Sequence, residues 1–103
     1  MPSKLTDNAR GQDCTLQLYP YCNGNTETVV FCHYNSARKG FGIKSPDYFG
    51  AFGCSACHDV IDNRIKHDIP GEELQALKLA ALQRTLQVQI ESNLITIPKG
   101  CKI

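Results

Sequence analysis

Cys54-Ser55-Ala56-Cys57-His58 is the stretch that decides the fold of this chain. Two cysteines separated by two residues form a turn in which both sulfurs can reach one ion at about 2.3 Å, the usual zinc–sulfur distance. The histidine that follows directly falls on the first turn of a predicted helix. The stretch therefore indicates half of a zinc site, placed beside a histidine that is available for other chemistry.

A second pair of cysteines, Cys14 and Cys22, supplies the other half of a closed four-thiolate site. The 7 residues between them exceed the usual spacing of about two to four, but a compact excursion of the chain would still bring its ends together. Such a site would stabilise a chain of 103 residues whose core is small. Cys32, in a predicted strand, and Cys101, near the end, are interpreted as small buried apolar residues.

Other uses of the cysteines stay open at this level. A C-x-x-C pair can serve redox chemistry, although the run before Cys54 is too short and too rich in glycine for a thioredoxin-like frame. Three disulfides would become possible if the protein were exported. Residues 1–10 contain no apolar signal segment, and no run approaches the about 18 apolar residues of a membrane span. The chain is therefore predicted to be cytoplasmic, without a membrane partner, and metal is favoured over disulfides.

The charge of the chain restricts how it can meet a polyanion. With 11 basic and 10 acidic residues the net charge is only +1, so any contact with nucleic acid must come from a local patch. Arg38, Lys39 and Lys44 lie in one loop and are the candidate phosphate contacts, although a loop with three charges is also typical of a merely solvated one. With 4 tyrosines, 4 phenylalanines and no tryptophan, a large base-stacking surface is not expected.

The pattern of apolar residues predicts one α+β domain over residues 1–103. Its predicted parts are a tail at 1–13, a short strand around Leu16 and Leu18, antiparallel strands at Thr28–Tyr34 and Tyr48–Phe52, a helix from about His58 to Lys66, and a long helix at 71–93. The long helix carries an apolar stripe that is expected to pack on the core or, in part, to form a homodimer face. This stripe consists of Leu79, Leu82, Leu86 and Ile90, with Leu74, Leu77 and Ala81 beside it.

Two histidines are candidates for catalysis. His33 ends a predicted strand and His58 begins a predicted helix, so packing of these elements would let both imidazoles face one cleft. Asp62 shares a helix face with His58, and an imidazole with a carboxylate can bind a divalent ion such as Mg²⁺ or Mn²⁺. Histidine titrates closest to neutral pH, which suits His33 as a general base. Plain structural interpretations also stay open. His33 is then a packed strand histidine, and His58 is a fourth zinc ligand in place of one distant cysteine. Asp59 or Asp62 then only favours the helix N-terminus through its dipole.

The order of these features resembles the HNH nucleases, also called ββα-metal or His-Me finger endonucleases. Within that group the chain is similar to the prophage nucleases of the YbcO type. The likeness covers roughly Ala9 to Asp62 and rests on the segments Ala9–Cys14, Cys22–Asn25, Glu27-Thr28, His33 and Cys54–Asp59. The C-terminal helix carries no matching motif.

The resemblance implies a small ββα-metal core at 14–67 with a structural zinc knuckle and an added long C-terminal helix. It implies that His33 activates water, that His58 binds the catalytic ion and that Asp62 adds a ligand. The structural zinc would be held by the four cysteines Cys14, Cys22, Cys54 and Cys57. Asp47 lies near the family's middle residue, which orients the base or the loop.

One departure from the family concerns Cys32, which stands where many members have an Asp or His ligand of the catalytic ion. A thiol is a poor ligand for Mg²⁺.

The expected function is a metal-dependent endonuclease acting on nucleic acid, DNA in the first place. The alternative is a non-catalytic zinc-binding module that binds DNA or a protein partner.

Overall fold

The computed structural model describes residues 4–34 and 45–102. Within them the chain forms α1 (Lys4–Asp7), a 3₁₀ turn (Thr26–Thr28), β1 (Val30–His33), β2 (Gly50–Gly53), α2 (Ser55–Ile61) and α3 (Gly71–Glu91). In the described ranges β1 and β2 make one two-stranded antiparallel sheet. The predicted α+β class is thereby confirmed, and the loop with Arg38, Lys39 and Lys44 lies outside the described residues.

The two strands pair as the sequence predicted, although both are shorter. Val30 is paired with Gly53 at one end of the ladder and His33 with Gly50 at the other. A Cβ on Gly53 would lie 2.7 Å from both the Cys32 sulfur and a Leu16 methyl group. Glycine at this position therefore allows the segment after Cys14 to pack directly on the sheet.

The strand predicted around Leu16 and Leu18 is wrong, because this segment is irregular. Both leucines are fully buried, since the backbone turns between them at Gln17, which has a φ of 49°. In place of a strand ladder, the amides of Thr15 and Leu16 both donate to the carbonyl of Phe52, at 2.9 and 3.1 Å. The alternation of Leu16 and Leu18 in the sequence therefore reflects two core contacts of a bent segment and not a strand.

Helix α2 begins and ends earlier than predicted. It runs over Ser55–Ile61, with Cys54 as its N-cap, so that Cys57 lies within the helix. Its C-cap is Asp62, and Asn63 follows with a φ of 58°, which turns the chain away from the helix axis. The predicted extension to Lys66 is wrong because this left-handed residue ends the helix.

Helix α3 has nearly the predicted bounds, but its buried face differs from the predicted stripe. The buried residues are Ala81, Thr85 and Gln89, whereas Leu79 is 68% exposed. Leu74, Leu77, Leu82 and Val88 flank the buried face and pack partly against the core. The homodimer through this helix stays a prediction.

The N-terminal segment, predicted as a tail at 1–13, is packed against the rest of the chain where it is described. Ala9 is fully buried, and the side-chain amide of Gln89 donates to the carbonyl of Leu5 at 3.2 Å. Such contacts join residues that are far apart in the sequence, which is why composition alone suggested a tail. None of the helices in residues 4–34 and 45–102 combines the length and hydropathy needed to cross a bilayer.

Candidate metal centre and histidine pairs

The four cysteines predicted as zinc ligands lie together at the junction of the irregular 14–22 segment and α2. Their sulfur atoms, from Cys14, Cys22, Cys54 and Cys57, all lie within 4.8 Å of one another. The sulfurs of Cys14 and Cys57 are 3.6 Å apart, and those of Cys22 and Cys54 are 3.8 Å apart. A tetrahedral ion with bonds of about 2.3 Å holds its sulfur ligands about 3.8 Å from each other. The cluster can therefore hold one metal ion such as zinc.

Backbone amides point at the sulfurs of this cluster. The amides of Cys54 and Gln17 donate to the Cys14 sulfur at 3.4 and 3.5 Å, and the amide of Leu18 donates to the Cys57 sulfur at 3.4 Å. The hydrogen bond with Cys57, helped by the two amides, lowers the pKa of Cys14 to about 4. The pKa of Cys57 is raised, first by its hydrogen-bond contact with Cys14 and then by burial. The centre therefore favours a thiolate at Cys14, the form that binds metal.

The geometry disfavours the disulfide alternative. All six cysteines are free, and the two shortest sulfur separations in the cluster are far longer than the about 2.05 Å of a disulfide. Cys32 is buried outside the cluster, as predicted, and burial followed by the charge of Asp62 raises its pKa to about 12. Cys101 is exposed, so its predicted burial is wrong.

A buried hydrogen-bond network joins α3 to the residue next to Cys14. The hydroxyls of Thr15 and Thr85 are 2.7 Å apart, and the amide of Phe52 lies 3.0 and 3.3 Å from them. The guanidinium of Arg84 also donates to the carbonyl of Thr15, with its Nε at 3.1 Å. This network, the α3 brace, fixes the segment from which Cys14 reaches the metal centre.

The Thr85→Val variant tests this brace, because it keeps the side-chain shape and removes one buried hydroxyl. We expect the free energy of unfolding to fall by about 1–3 kcal/mol, the usual effect of breaking a buried hydrogen bond. Urea unfolding followed by circular dichroism measures it. Gln87→Ala, an exposed change on the same helix, should stay within about 0.5 kcal/mol of the parent. Equal stabilities for Thr85→Val and the parent would contradict the brace.

The first histidine pair lies at the end of β1. Nε2 of His33 is 2.9 Å from Oδ1 of Asp47, and both side chains are close to half exposed. The edge of the Phe31 ring packs against the imidazole, with the ring centroids 5.0 Å apart. When Nε2 donates to the carboxylate, Nδ1 is the nitrogen left to accept a proton. This pair can therefore act as an oriented base.

The second pair lies on α2, one turn beyond the metal centre. Nε2 of His58 is 2.9 Å from Oδ2 of Asp62, at the spacing that the sequence predicted. Arg64 approaches the same oxygen with Nη2 at 3.2 Å and reaches Oδ1 of Asp59 with Nη1 at 3.4 Å. Sequence reasoning missed Arg64, because the turn at Asn63 folds it back beside the helix.

Cys32, the neighbour of His33 in β1, is a member of neither pair; burial followed by the charge of Asp62 raises its pKa. In residues 4–34 and 45–102, no third histidine, cysteine or carboxylate completes a cluster with His58 and Asp62. An ion bound there would take its remaining ligands from water or substrate.

Comparison with known proteins gives a consistent result. A family model described as "Putative nuclease YbcO" matches residues 3–93. "Putative nuclease YbcO" of Escherichia coli (strain K12) is 35% identical over 92 residues, which cover 88% of this chain and 95% of that protein. "Putative nuclease ybcO" of Enterobacteria phage 82 has the same identity and coverage.

A solved structure also resembles the chain. Its title is "Structure of a putative bacteriophage protein from Escherichia coli str. K-12 substr. MG1655", and it superposes with a TM-score of 0.69 at 34% identity. The match covers 85% of this chain and 98% of the other. The similarity therefore extends over nearly the whole of that protein.

Proposed function

Since the chain belongs to the YbcO family of putative nucleases, we propose that it is a metal-dependent endonuclease of the HNH type that hydrolyses phosphodiester bonds, with DNA as substrate. The observation that carries the proposal is the presence of two histidine–aspartate contacts of 2.9 Å, from His33 on β1 and from His58 on α2, in a chain whose four clustered cysteines include Cys57, the neighbour of His58. In this assignment β1, β2 and α2 form the ββα-metal core. The loop with Arg38, Lys39 and Lys44 adds phosphate contacts.

His33 is the general base of the proposed reaction. It takes a proton from the attacking water at Nδ1, and Asp47 stabilises the imidazolium that results through the contact at Nε2. The resulting hydroxide attacks phosphorus, and the bond from phosphorus to the leaving oxygen breaks. Asp47 thus performs the orienting role that the family gives its middle residue.

His58 and Asp62 are the proposed ligands of the catalytic ion. A divalent ion such as Mg²⁺ or Mn²⁺ supplies positive charge for the phosphate and for the leaving oxygen. Mg²⁺ is commonly held by one or two carboxylates and several waters, so two protein ligands are enough. The nitrogen of His58 also suits Mn²⁺. Cys32 is buried and adds no ligand in this proposal.

The ion in the cysteine cluster is proposed to be a structural zinc. Four protein sulfurs fill a tetrahedral shell and leave no position for water or substrate. The cluster joins the 14–22 segment to α2, and α2 carries His58. The zinc therefore holds the helix on which the catalytic ion is bound.

Nicking of supercoiled plasmid DNA tests the proposed function directly. The purified protein should convert the plasmid to open circles with Mg²⁺, Mn²⁺, Co²⁺ or Ni²⁺, and EDTA should stop the reaction. The His58→Ala variant should bind Mn²⁺ about 10- to 100-fold more weakly in a calorimetric titration and nick correspondingly less. A parent protein that nicks with none of the four ions, while retaining its zinc, would refute the proposal.

One observation favours a second function, a non-catalytic zinc-binding module that binds DNA or a protein partner. Oδ2 of Asp62 already contacts both His58 and Arg64, so this oxygen has two partners without an ion. Elemental analysis and the same Mn²⁺ titration separate the two functions. One zinc per chain with no binding of a further divalent ion favours the module.

A further inference from the structure

Arg64 is the residue near the proposed nuclease site to which no role has been given so far. It follows the left-handed residue Asn63, and its own amide donates to the carbonyl of Asp59 at 2.9 Å. This turn directs the side chain back along α2 and beside Asp62. The side chain is nevertheless 60% exposed. The backbone of Arg64 is therefore held by the turn, whereas its side chain is open to solvent.

The guanidinium of Arg64 contacts two carboxylates and keeps further N–H donors. Nη1 is 3.4 Å from Asp59 and Nη2 is 3.2 Å from Asp62, so donors remain on both nitrogens and on Nε. Asp59 makes no contact with a histidine in the structure as described and can hold Arg64 continuously. Asp62, in contrast, has its Oδ2 shared with His58.

A divalent ion on His58 and Asp62 would compete with Arg64 for the same carboxylate oxygen. The guanidinium would then lose Asp62, the nearer of its two carboxylates, when a phosphate is drawn to the ion, and would keep the contact with Asp59. A planar guanidinium matches the oxygens of a phosphate and forms charge-assisted hydrogen bonds with them. The exchange needs only a small shift, because Asp59 keeps the side chain in place.

We propose that Arg64 is a phosphate-binding residue of this site, held by Asp59 and transferred from Asp62 to the nucleic-acid backbone when the divalent ion is bound. The inference rests on the proposed nuclease function. It adds a substrate contact just beyond the end of α2, independent of the loop with Arg38, Lys39 and Lys44. It also explains why an exposed arginine lies between two carboxylates next to the candidate ion ligands.

Fluorescence anisotropy with a short labelled DNA duplex tests the inference without relying on turnover. Binding is measured for the parent, Arg64→Ala and Arg64→Lys at several salt concentrations in the presence of Ca²⁺. We expect Arg64→Ala to bind about tenfold more weakly and the slope of log K against log salt to fall by about one. Arg64→Lys keeps the charge, so it should restore the slope and only part of the affinity.

Arg10→Ala is the matched control, because Arg10 is also an exposed arginine paired with a carboxylate, that of Asp7. It should leave both affinity and slope near those of the parent. Equal losses in Arg10→Ala and Arg64→Ala, or an unchanged slope in Arg64→Ala, would overturn the inference. Absence of any salt-dependent binding by the parent would overturn it as well.

The nicking assay separates failure of this inference from failure of the proposed function. If the parent nicks DNA and Arg64→Ala nicks with an unchanged KM, the role of Arg64 is wrong and the nuclease proposal stands. If the parent fails to nick DNA with any of the ions tested, but Arg64→Ala still loses salt-dependent binding, the nuclease proposal fails. The phosphate contact then stands as part of a binding module.

Discussion

The Cys57→Ser variant is expected to lose the ion proposed as a structural zinc and to be unfolded already at room temperature, without a cooperative unfolding transition. Structural zinc contributes about 10–16 kcal/mol of apparent binding free energy in small zinc domains, as large as the about 5–15 kcal/mol that stabilises a whole domain. Cys57 is fully buried in α2, and its sulfur is the partner of Cys14 at 3.6 Å. A serine oxygen cannot replace the thiolate, and three sulfurs would hold the ion weakly. Elemental analysis and thermal unfolding by circular dichroism measure both effects.

Cys101→Ser is the matched control for this experiment, since Cys101 is an exposed free cysteine outside the cluster. It should keep one zinc per chain and the melting temperature of the parent. Prolonged treatment of the parent with a strong chelator should reproduce the effect of Cys57→Ser, because both remove the same ion. A Cys57→Ser protein with the parent's metal content and melting temperature would rule out the structural zinc.

The His33→Ala variant is expected to nick plasmid DNA about 10²- to 10⁴-fold more slowly than the parent, the usual contribution of a general base. His33 lies at the end of β1 with its side chain exposed, so its removal leaves no cavity. Zinc content and melting temperature should therefore be unchanged. Initial nicking rates at saturating divalent ion measure the loss.

Two companion variants make the result specific to an oriented base. Asp47→Asn should reduce the rate less than His33→Ala, because an amide oxygen can still accept from Nε2 but carries no charge to stabilise the imidazolium. His67→Asn changes the third histidine and keeps an oxygen that can accept from the amide of Ile69, as Nδ1 of His67 does at 3.2 Å. It should nick at the parent rate. Equal rates for His33→Ala and His67→Asn would remove His33 from the mechanism.

The sequence was sufficient for those features whose residues are close together in the chain. The C-x-x-C-H stretch correctly placed two of the clustered cysteines, and the spacing of four residues correctly placed His58 and Asp62 on one helix face, where they lie 2.9 Å apart. The long helix was also predicted nearly to its ends, because its periodicity covers many turns. The first strand was predicted from its β-branched and aromatic residues and the second from a short apolar run, and the two pair as expected.

The sequence failed where a residue's environment depends on a distant partner. Thr85 and Gln89 are polar, so apolar periodicity could not identify their face as the buried one; their partners, Thr15 and Leu5, lie at the other end of the chain. The bend at Gln17 similarly made two buried leucines look like an alternating strand. Backbone conformation at single residues and long-range polar contacts are invisible to pattern analysis.

The α3 brace has a consequence for how the protein matures during synthesis. The last clustered cysteine is Cys57, whereas the residues that brace the cluster are Arg84 and Thr85. All four cysteines are therefore synthesised before the part of α3 that braces their cluster. A nascent chain stalled ahead of residue 84 would present its sulfurs without that support, so a metal ion held by the cluster would gain the support of the brace only late in synthesis.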